Sequence, residues 1–262
     1  MHPILFKIGS FEMASYGLMT ALAYGAASWY LLRRLQYIKM DKDTFWNFIF
    51  IAFVSALIGA KLLYLIVSWP EMSGSFGQKL LAAVKDFRYG FVFFGGAVTA
   101  VAVLLYYLKK KKMPVLKTAD FFAVALPLGH AIGRIGCFLA GCCAGKPTSL
   151  PWGVTFTDPH SLVAREYLGV PLHPTQLYEV AANLILFFIL QYYYKKPHKN
   201  GAVLAAYIIG YCIIRFIIEF FRGDFRGQYL LGMSPSQLIA MAAVLITLAA
   251  MLFLKKDTDH AG

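Results

Sequence analysis

Three stretches carry side chains whose types and spacing could do chemistry. Residues 133–146 read GRIGCFLAGCCAGK, where Arg134 is followed by Cys137, Cys142 and Cys143, three of the four cysteines in the chain. Residues 173–179 read HPTQLYE and bring His173, Gln176, Tyr178 and Glu179 together. Residues 211–223 read YCIIRFIIEFFRG, and spacings of four and three put Arg215, Glu219 and Arg222 on one helical face, with Arg215 able to pair with Glu219. Guanidinium forks grip phosphate oxygens in pairs, a property lysine lacks. Two arginines on separate segments, one with a fixing carboxylate, suit a phospholipid headgroup. The blander alternative is that they snorkel to an interface or pair only for structure. HPTQLYE reads equally well as a capped helix start, with Pro174 in the first turn.

The surroundings of these groups are apolar. The 262 residues are 59% apolar and only 15% charged, against about 25% charged in a soluble domain. The net charge of +12 sits in short runs between apolar segments, without the aromatic-interleaved basic surface of a nucleic-acid binder, so no nucleic-acid partner is expected. Seven segments meet the length of about 20 residues that a bilayer demands: 16–33, 45–68, 89–108, 119–141, 174–194, 201–221 and 234–254. In lipid each must satisfy its own backbone, so each is expected to be a helix. The first lacks a basic leader and a small-residue cleavage site and reads as a retained helix. The fold expected is an all-α integral membrane protein, residues 1–262 forming one seven-helix domain.

Basic residues orient it. One set of alternate connections and the carboxyl tail carry 14 lysines and arginines, and the other set with the amino terminus carries 8. The positive-inside rule puts the amino terminus outside and the carboxyl terminus in the cytoplasm. Loops 69–88 and 142–173 then form a small outer head, and the intramembrane charges, which insertion scales price at about 2.5–3.5 kcal/mol each, face the outer leaflet.

The motifs YGLM (16–19), GAKLLY (59–64), Gly95-Gly96, GRIG…F…G (133–141), HPTQLYE, YCIIRFIIEFFR and SPSQ (234–237) occur in this order. Over nearly the whole chain they resemble the prolipoprotein diacylglyceryl transferase family. The resemblance implies a bacterial plasma (inner) membrane enzyme of lipoprotein biosynthesis, a multi-pass transferase in the lipid bilayer whose site faces the outer leaflet and periplasm. Its partners would be phosphatidylglycerol and the signal peptide of a preprolipoprotein, whose lipobox cysteine thiol takes the diacylglyceryl group; no cofactor and no metal is implied. It assigns Arg134 and Arg215 to the headgroup and leaving phosphate, and Glu219 to orienting Arg215. The substrate-binding set expected is Tyr16, Gly95, Gly96, Cys137, Gly145, His173, Gln176, Tyr178, Tyr211 and Arg222. For Gly95-Gly96, close helix packing is the competing explanation.

The chain departs from the family pattern G-R-x-G-N-F-x-N-G-E. Cys137, Ala140 and Cys142 replace its two asparagines and its glutamate, and Phe94 stands where the family has a histidine before the glycine pair. The cationic half of the site is kept, and much of the acid–base half is replaced. Three readings follow. The same transfer proceeds with another base, for which His130, seven residues before Cys137 on one helical face, is the candidate. Alternatively, a paralogue binds an anionic phospholipid and uses a different acceptor, or a covalent intermediate on Cys142 with its thiol acidified by nearby charge. The third is a non-catalytic lipid-binding membrane protein. Cys212 reads as a small packing residue. A disulfide from Cys137 to either later cysteine is possible on an oxidising face. C-x4-C-C with only His130 nearby is a poor match to zinc-ligand spacing.

Overall fold

A computed structural model describes all residues except 1, 10, 71, 86–89, 225–229, 231 and 260–262. In chain order the elements are β1 (Ile4–Ile8), β2 (Phe11–Ala14), α1 (Ser15–Leu32), α2 (Lys42–Ser68), α3 (Phe76–Lys85), α4 (Phe93–Lys110), α5 (Val115–Ala123), α6 (Leu126–Ala140), β3 (Val154–Thr155), β4 (Pro171–Leu172), α7 (Thr175–Tyr194), α8 (Ala202–Glu219) and α9 (Pro235–Asp259). The chain is mostly helical, and six helical stretches among the described residues are long and apolar enough to cross a membrane: α2, α4, α5 with α6, α7, α8 and the Pro235–Phe253 part of α9. Their outward faces carry large apolar side chains such as Phe50, Ile66, Phe188 and Leu252, each more than 60% exposed, as hydrocarbon rather than water requires.

Three sequence expectations are met only in part. The first of the seven segments is α1, a helix of 18 residues, but Tyr16, Tyr24, Trp29 and Tyr30 with two serines and two glycines leave it less apolar than the six. The fourth segment is interrupted. Pro127 has no amide hydrogen to donate back to Ala123, so the chain turns at 124–125 between α5 and α6. Two small antiparallel ribbons, β1–β2 and β3–β4, stand beside the helices of a chain expected to be all-α.

The chain divides into two compact units. The second, Arg34–Thr118, is built on α2 packed against α4. Gly95 and Gly96 lie in that contact, where a Cβ on either would strike the carbonyl oxygen of Gly59 or Ala56 on α2. Phe94 beside them is half exposed and edge-on to Phe93. Loop 69–88 contains α3, and its residues 71 and 86–88 lie outside the described residues.

The first unit, Met1–Arg33 with Ala119–Gly262, contains Arg134, Glu179, Arg215, Glu219 and all four cysteines. Helix α1 packs on α6, α6 on α7, α7 on α8 and α8 on α9. The α1–α6 crossing closes at Gly136, where a Cβ would sit 2.9 Å from that of Met19 and 3.4 Å from the Tyr16 Cα; Gly133, one turn earlier, has no such neighbour. At the opposite end of the unit, Asp120 of α5 accepts hydrogen bonds from the amides of Gly201 (2.6 Å) and Leu204 (2.8 Å), capping α8 with a carboxylate from another helix. Segment 142–173 folds around a small core of Ala144, Phe156, Val163 and Leu172.

Candidate active site

Helix α7 buries one face, and that face is polar at its start: Thr175, Gln176, Glu179 and Asn183 recur at helical spacing and are all nearly inaccessible. The Glu179 carboxylate is a junction for three arginines. Arg134 Nε of α6 meets Oε2 at 2.5 Å, while Arg222 Nη1 lies 3.6 Å and Arg215 Nη1 4.0 Å from Oε1. Each remaining acid fixes one of these guanidiniums. Arg215 Nη2 is 2.5 Å from Glu219 Oε2, one turn on in α8, and donates to Ser236 Oγ of the SPSQ segment at 3.3 Å. Arg222 donates through Nε and Nη2 to the two oxygens of Asp224, both at 2.8 Å. Charges buried this deeply persist only when paired, and here three cations meet three carboxylates.

Helix α8 ends at Glu219, so Arg222 reaches the junction from the turn beyond rather than from the helical face expected of it. Its side chain is almost wholly buried, whereas that of Arg134 is 21% exposed. Arg134 is therefore the most accessible of the three guanidiniums. It also reaches the Tyr211 hydroxyl. His130, one turn before Arg134, packs its ring against Tyr211 at 4.9 Å, and its buried Nδ1 has no hydrogen-bond partner among the described residues.

The cysteine loop closes over this junction. Gly141 adopts a left-handed conformation that ends α6, and the Cys142 amide turns back to the Cys137 carbonyl at 3.1 Å. Thr175 Oγ1 then donates to the Cys143 carbonyl (2.7 Å) and Gln176 Nε2 to the Cys142 carbonyl (2.8 Å). Gly145 threads between two strands of backbone, its amide bonded to the His173 carbonyl; a Cβ there would come within 2.5 Å of the Phe221 carbonyl oxygen. This folding brings the Sγ atoms of Cys137, Cys142 and Cys143 within 4.8 Å of one another. None of the four cysteines is in a disulfide. Arg134 Nη1 lies 3.8 Å from Cys137 Sγ, and the charge of Arg222 acts on Cys143. Cys143 is the acidic member of the trio, its thiol held below the usual range by hydrogen bonds from Cys137 and Cys142 and by Arg222. The same contacts, with burial, push Cys142 above that range.

HPTQLYE divides between two sides. His173 and Tyr178 join neither Glu179 at the arginines nor Gln176 at the cysteine loop. His173 Nδ1 lies 3.2 Å from the Tyr178 hydroxyl, which accepts from Trp152 Nε1 at 2.9 Å. These three line a cavity of about 490 Å³ with Ile214, Ile217 and Phe221. Tyr16 stands against Gly136 at the α1–α6 crossing, half exposed. Glu179 was visible in its motif, but its central place was missed; a carboxylate inside an apolar helix was the signal available. Ser236 and Asp224, short polar residues near helix ends, gave none.

The prolipoprotein diacylglyceryl transferase family model matches residues 3–253. The chain belongs to that family. The phosphatidylglycerol–prolipoprotein diacylglyceryl transferase of Clostridium tetani is 37% identical over 246 residues, covering 94% of this chain and 95% of that protein. Those of Pseudoalteromonas atlantica (32% over 258 residues, 96% and 88%) and Clostridium perfringens (number 2; 33% over 241 residues, 92% and 91%) are similar at comparable length. Family membership accounts for the order of the motifs, and six apolar spans make this member a multi-pass protein of the plasma membrane.

Proposed function

We propose that this chain transfers the diacylglyceryl group of phosphatidylglycerol to the lipobox cysteine thiol of a preprolipoprotein, releasing glycerol 1-phosphate. The observation that carries this reading is the convergence of Arg134, Arg215 and Arg222 on buried Glu179, in a chain matched to the family from end to end. Cleavage of the glyceryl carbon–oxygen bond leaves charge on a phosphate. Preorganised guanidiniums stabilise that charge as it develops, where low dielectric makes them most effective. Arg134 and Arg215 hold the phosphate; Arg222, held through Nε and Nη2 by Asp224, positions Glu179 and the cysteine loop. Tyr16 and Tyr211 border the headgroup.

Within this reading α1 is the seventh crossing. Neighbours on α6 cover part of its surface, and its tyrosines suit a pocket wall. The amino terminus lies outside, and the arginine junction opens to the outer leaflet, where lipobox cysteines emerge. The direct test is complementation of a bacterial strain depleted of its own diacylglyceryl transferase, together with transfer of labelled diacylglyceryl from phosphatidylglycerol to a lipobox peptide by purified protein. Growth and a lipid-modified peptide are expected. A chain that binds phosphatidylglycerol yet modifies no peptide would refute the reading.

A further inference from the structure

The thiol trio is left over from the phosphate site, and it stands where the family's acid–base groups are replaced. Cys137 is buried in the last turn of α6, Cys142 and Cys143 are partly exposed, and their three Sγ atoms together make a cup. The cup is held rigid. The Cys142 and Cys143 carbonyls are pinned by Gln176 and Thr175, and Gly145 is locked on its far side. Cys143 has φ of +62°, a left-handed conformation uncommon for any residue but glycine, asparagine or aspartate. Such outliers persist where the surroundings enforce them and collect at functional sites. Here it turns the third thiol toward the other two. Linear spacing gave a poor zinc pattern because it did not show that α6 ends at Gly141 and folds back.

We propose that Cys137, Cys142 and Cys143 hold a thiophilic divalent cation of the zinc class, whose open fourth position takes the acceptor thiol. Thiolate sulfurs around zinc lie about 2.3 Å from the metal, hence about 3.8 Å apart, and small side-chain rotations bring a trio within 4.8 Å to that spacing. Three thiolates and a dication sum to one negative charge, which suits a cup flanked by Arg134 and Arg222. Three protein ligands with an open position is the arrangement of a catalytic rather than a structural zinc.

The inference rests on the transferase reading and supplies what that reading lacks, a way to ionise the acceptor without the family's histidine. A coordinated thiol is deprotonated outright. The acceptor R–SH replaces a metal-bound water and releases its proton to solvent. Its sulfur electron pair then attacks the glyceryl carbon of phosphatidylglycerol, forming the C–S bond. The C–O bond breaks with its electrons passing to the phosphate oxygen, received by Arg134 and Arg215. The neutral thioether leaves the metal and water returns.

The test uses full-length protein in detergent, reduced and kept anaerobic, with cobalt(II) as the optical stand-in for zinc(II). One cobalt per chain with sulfur-to-cobalt charge-transfer bands is expected, lost in Cys142→Ser and Cys143→Ser and kept in Cys212→Ser. Zinc should shield Cys137, Cys142 and Cys143 of the wild-type chain, but not Cys212, from alkylation, a readout independent of whether any variant folds. A lipobox peptide should raise the band intensity toward that of four thiolates, and its Cys→Ser form should not. Chelation should lower peptide modification by roughly 100-fold, the scale of a lost general base. Substoichiometric cobalt, no selective shielding, or bands indifferent to the thiol peptide would overturn the proposal. So would transfer at an unchanged rate after chelation, which would leave the transferase reading standing. A thiol-responsive cobalt site in a chain that modifies no peptide would refute that reading and keep the metal site.

Discussion

Arg134 Nε and Glu179 Oε2 meet at 2.5 Å where α6 packs on α7, and the other oxygen of that carboxylate faces Arg222 and Arg215. One acid thus faces three guanidiniums from three places in the chain. Its contacts to Arg222 and Arg215, at 3.6 and 4.0 Å, are ion pairs too long for hydrogen bonds. Arg134 is thus tightly paired with this carboxylate, while Arg215 and Arg222 lean on it through longer-range attraction.

Glu179→Gln should be the most damaging single change at the junction, since it leaves guanidiniums facing one another without the central charge. A loss of about 3–5 kcal/mol of stability is expected, the cost of breaking a buried pair, with transfer abolished. Thermal melts in detergent and peptide modification measure both. Wild-type stability in Glu179→Gln would show that the three arginines do not depend on it.

Arg134→Ala and Arg215→Ala should each abolish transfer and weaken binding to phosphatidylglycerol nanodiscs relative to phosphatidylcholine ones. Arg215→Lys should recover only part, because an ammonium cannot hold Glu219 and phosphate oxygens in one plane. Retention of most activity by either alanine variant would remove that arginine from the phosphate site.

The glycines offer a paired comparison. Gly136→Ala must push Met19 and Tyr16 away and should cost about 1–3 kcal/mol, while Gly133→Ala meets no atom within 4 Å and should be near neutral. Equal melting temperatures for the two variants would mean that α1 and α6 do not close at Gly136.

Donor lipid supplied without acceptor should leave no diacylglyceryl adduct on Cys142. The acceptor brings its own nucleophile, so direct transfer needs no intermediate on the enzyme. Intact-protein mass spectrometry decides this. An adduct on Cys142 lost in Cys142→Ser would establish a double displacement instead.

A tag in the Lys109–Lys112 run should be shielded from an impermeant reagent in intact cells, and one near Asp158 should react. The opposite labelling would invert the orientation.

Much of the site was legible because charge in an apolar helix is conspicuous. Arg134, Arg215 and Glu219 stand out against their segments, and each takes part in the junction. Glu179 was equally conspicuous, but its motif also contained His173 and Tyr178, and nothing in their spacing showed that they face an apolar cavity instead. The break at Pro127 was hidden inside a continuous apolar run, since hydropathy does not register a missing amide hydrogen. The convergence of three thiols depends on a left-handed glycine and a left-handed cysteine, torsions that residue types suggest only for the first.

The cap that Asp120 places on α8 bears on how the protein is made. A helix delivered into a bilayer brings amides at its first turn that nothing within the helix can accept. For α8, two of those amides are answered by an acid synthesised 81 and 84 residues earlier. Because α5 precedes α8 from the ribosome, the acceptor is waiting when the donors arrive. Vectorial synthesis thus puts the acceptor in the chain ahead of the helix that bears Arg215 and Glu219.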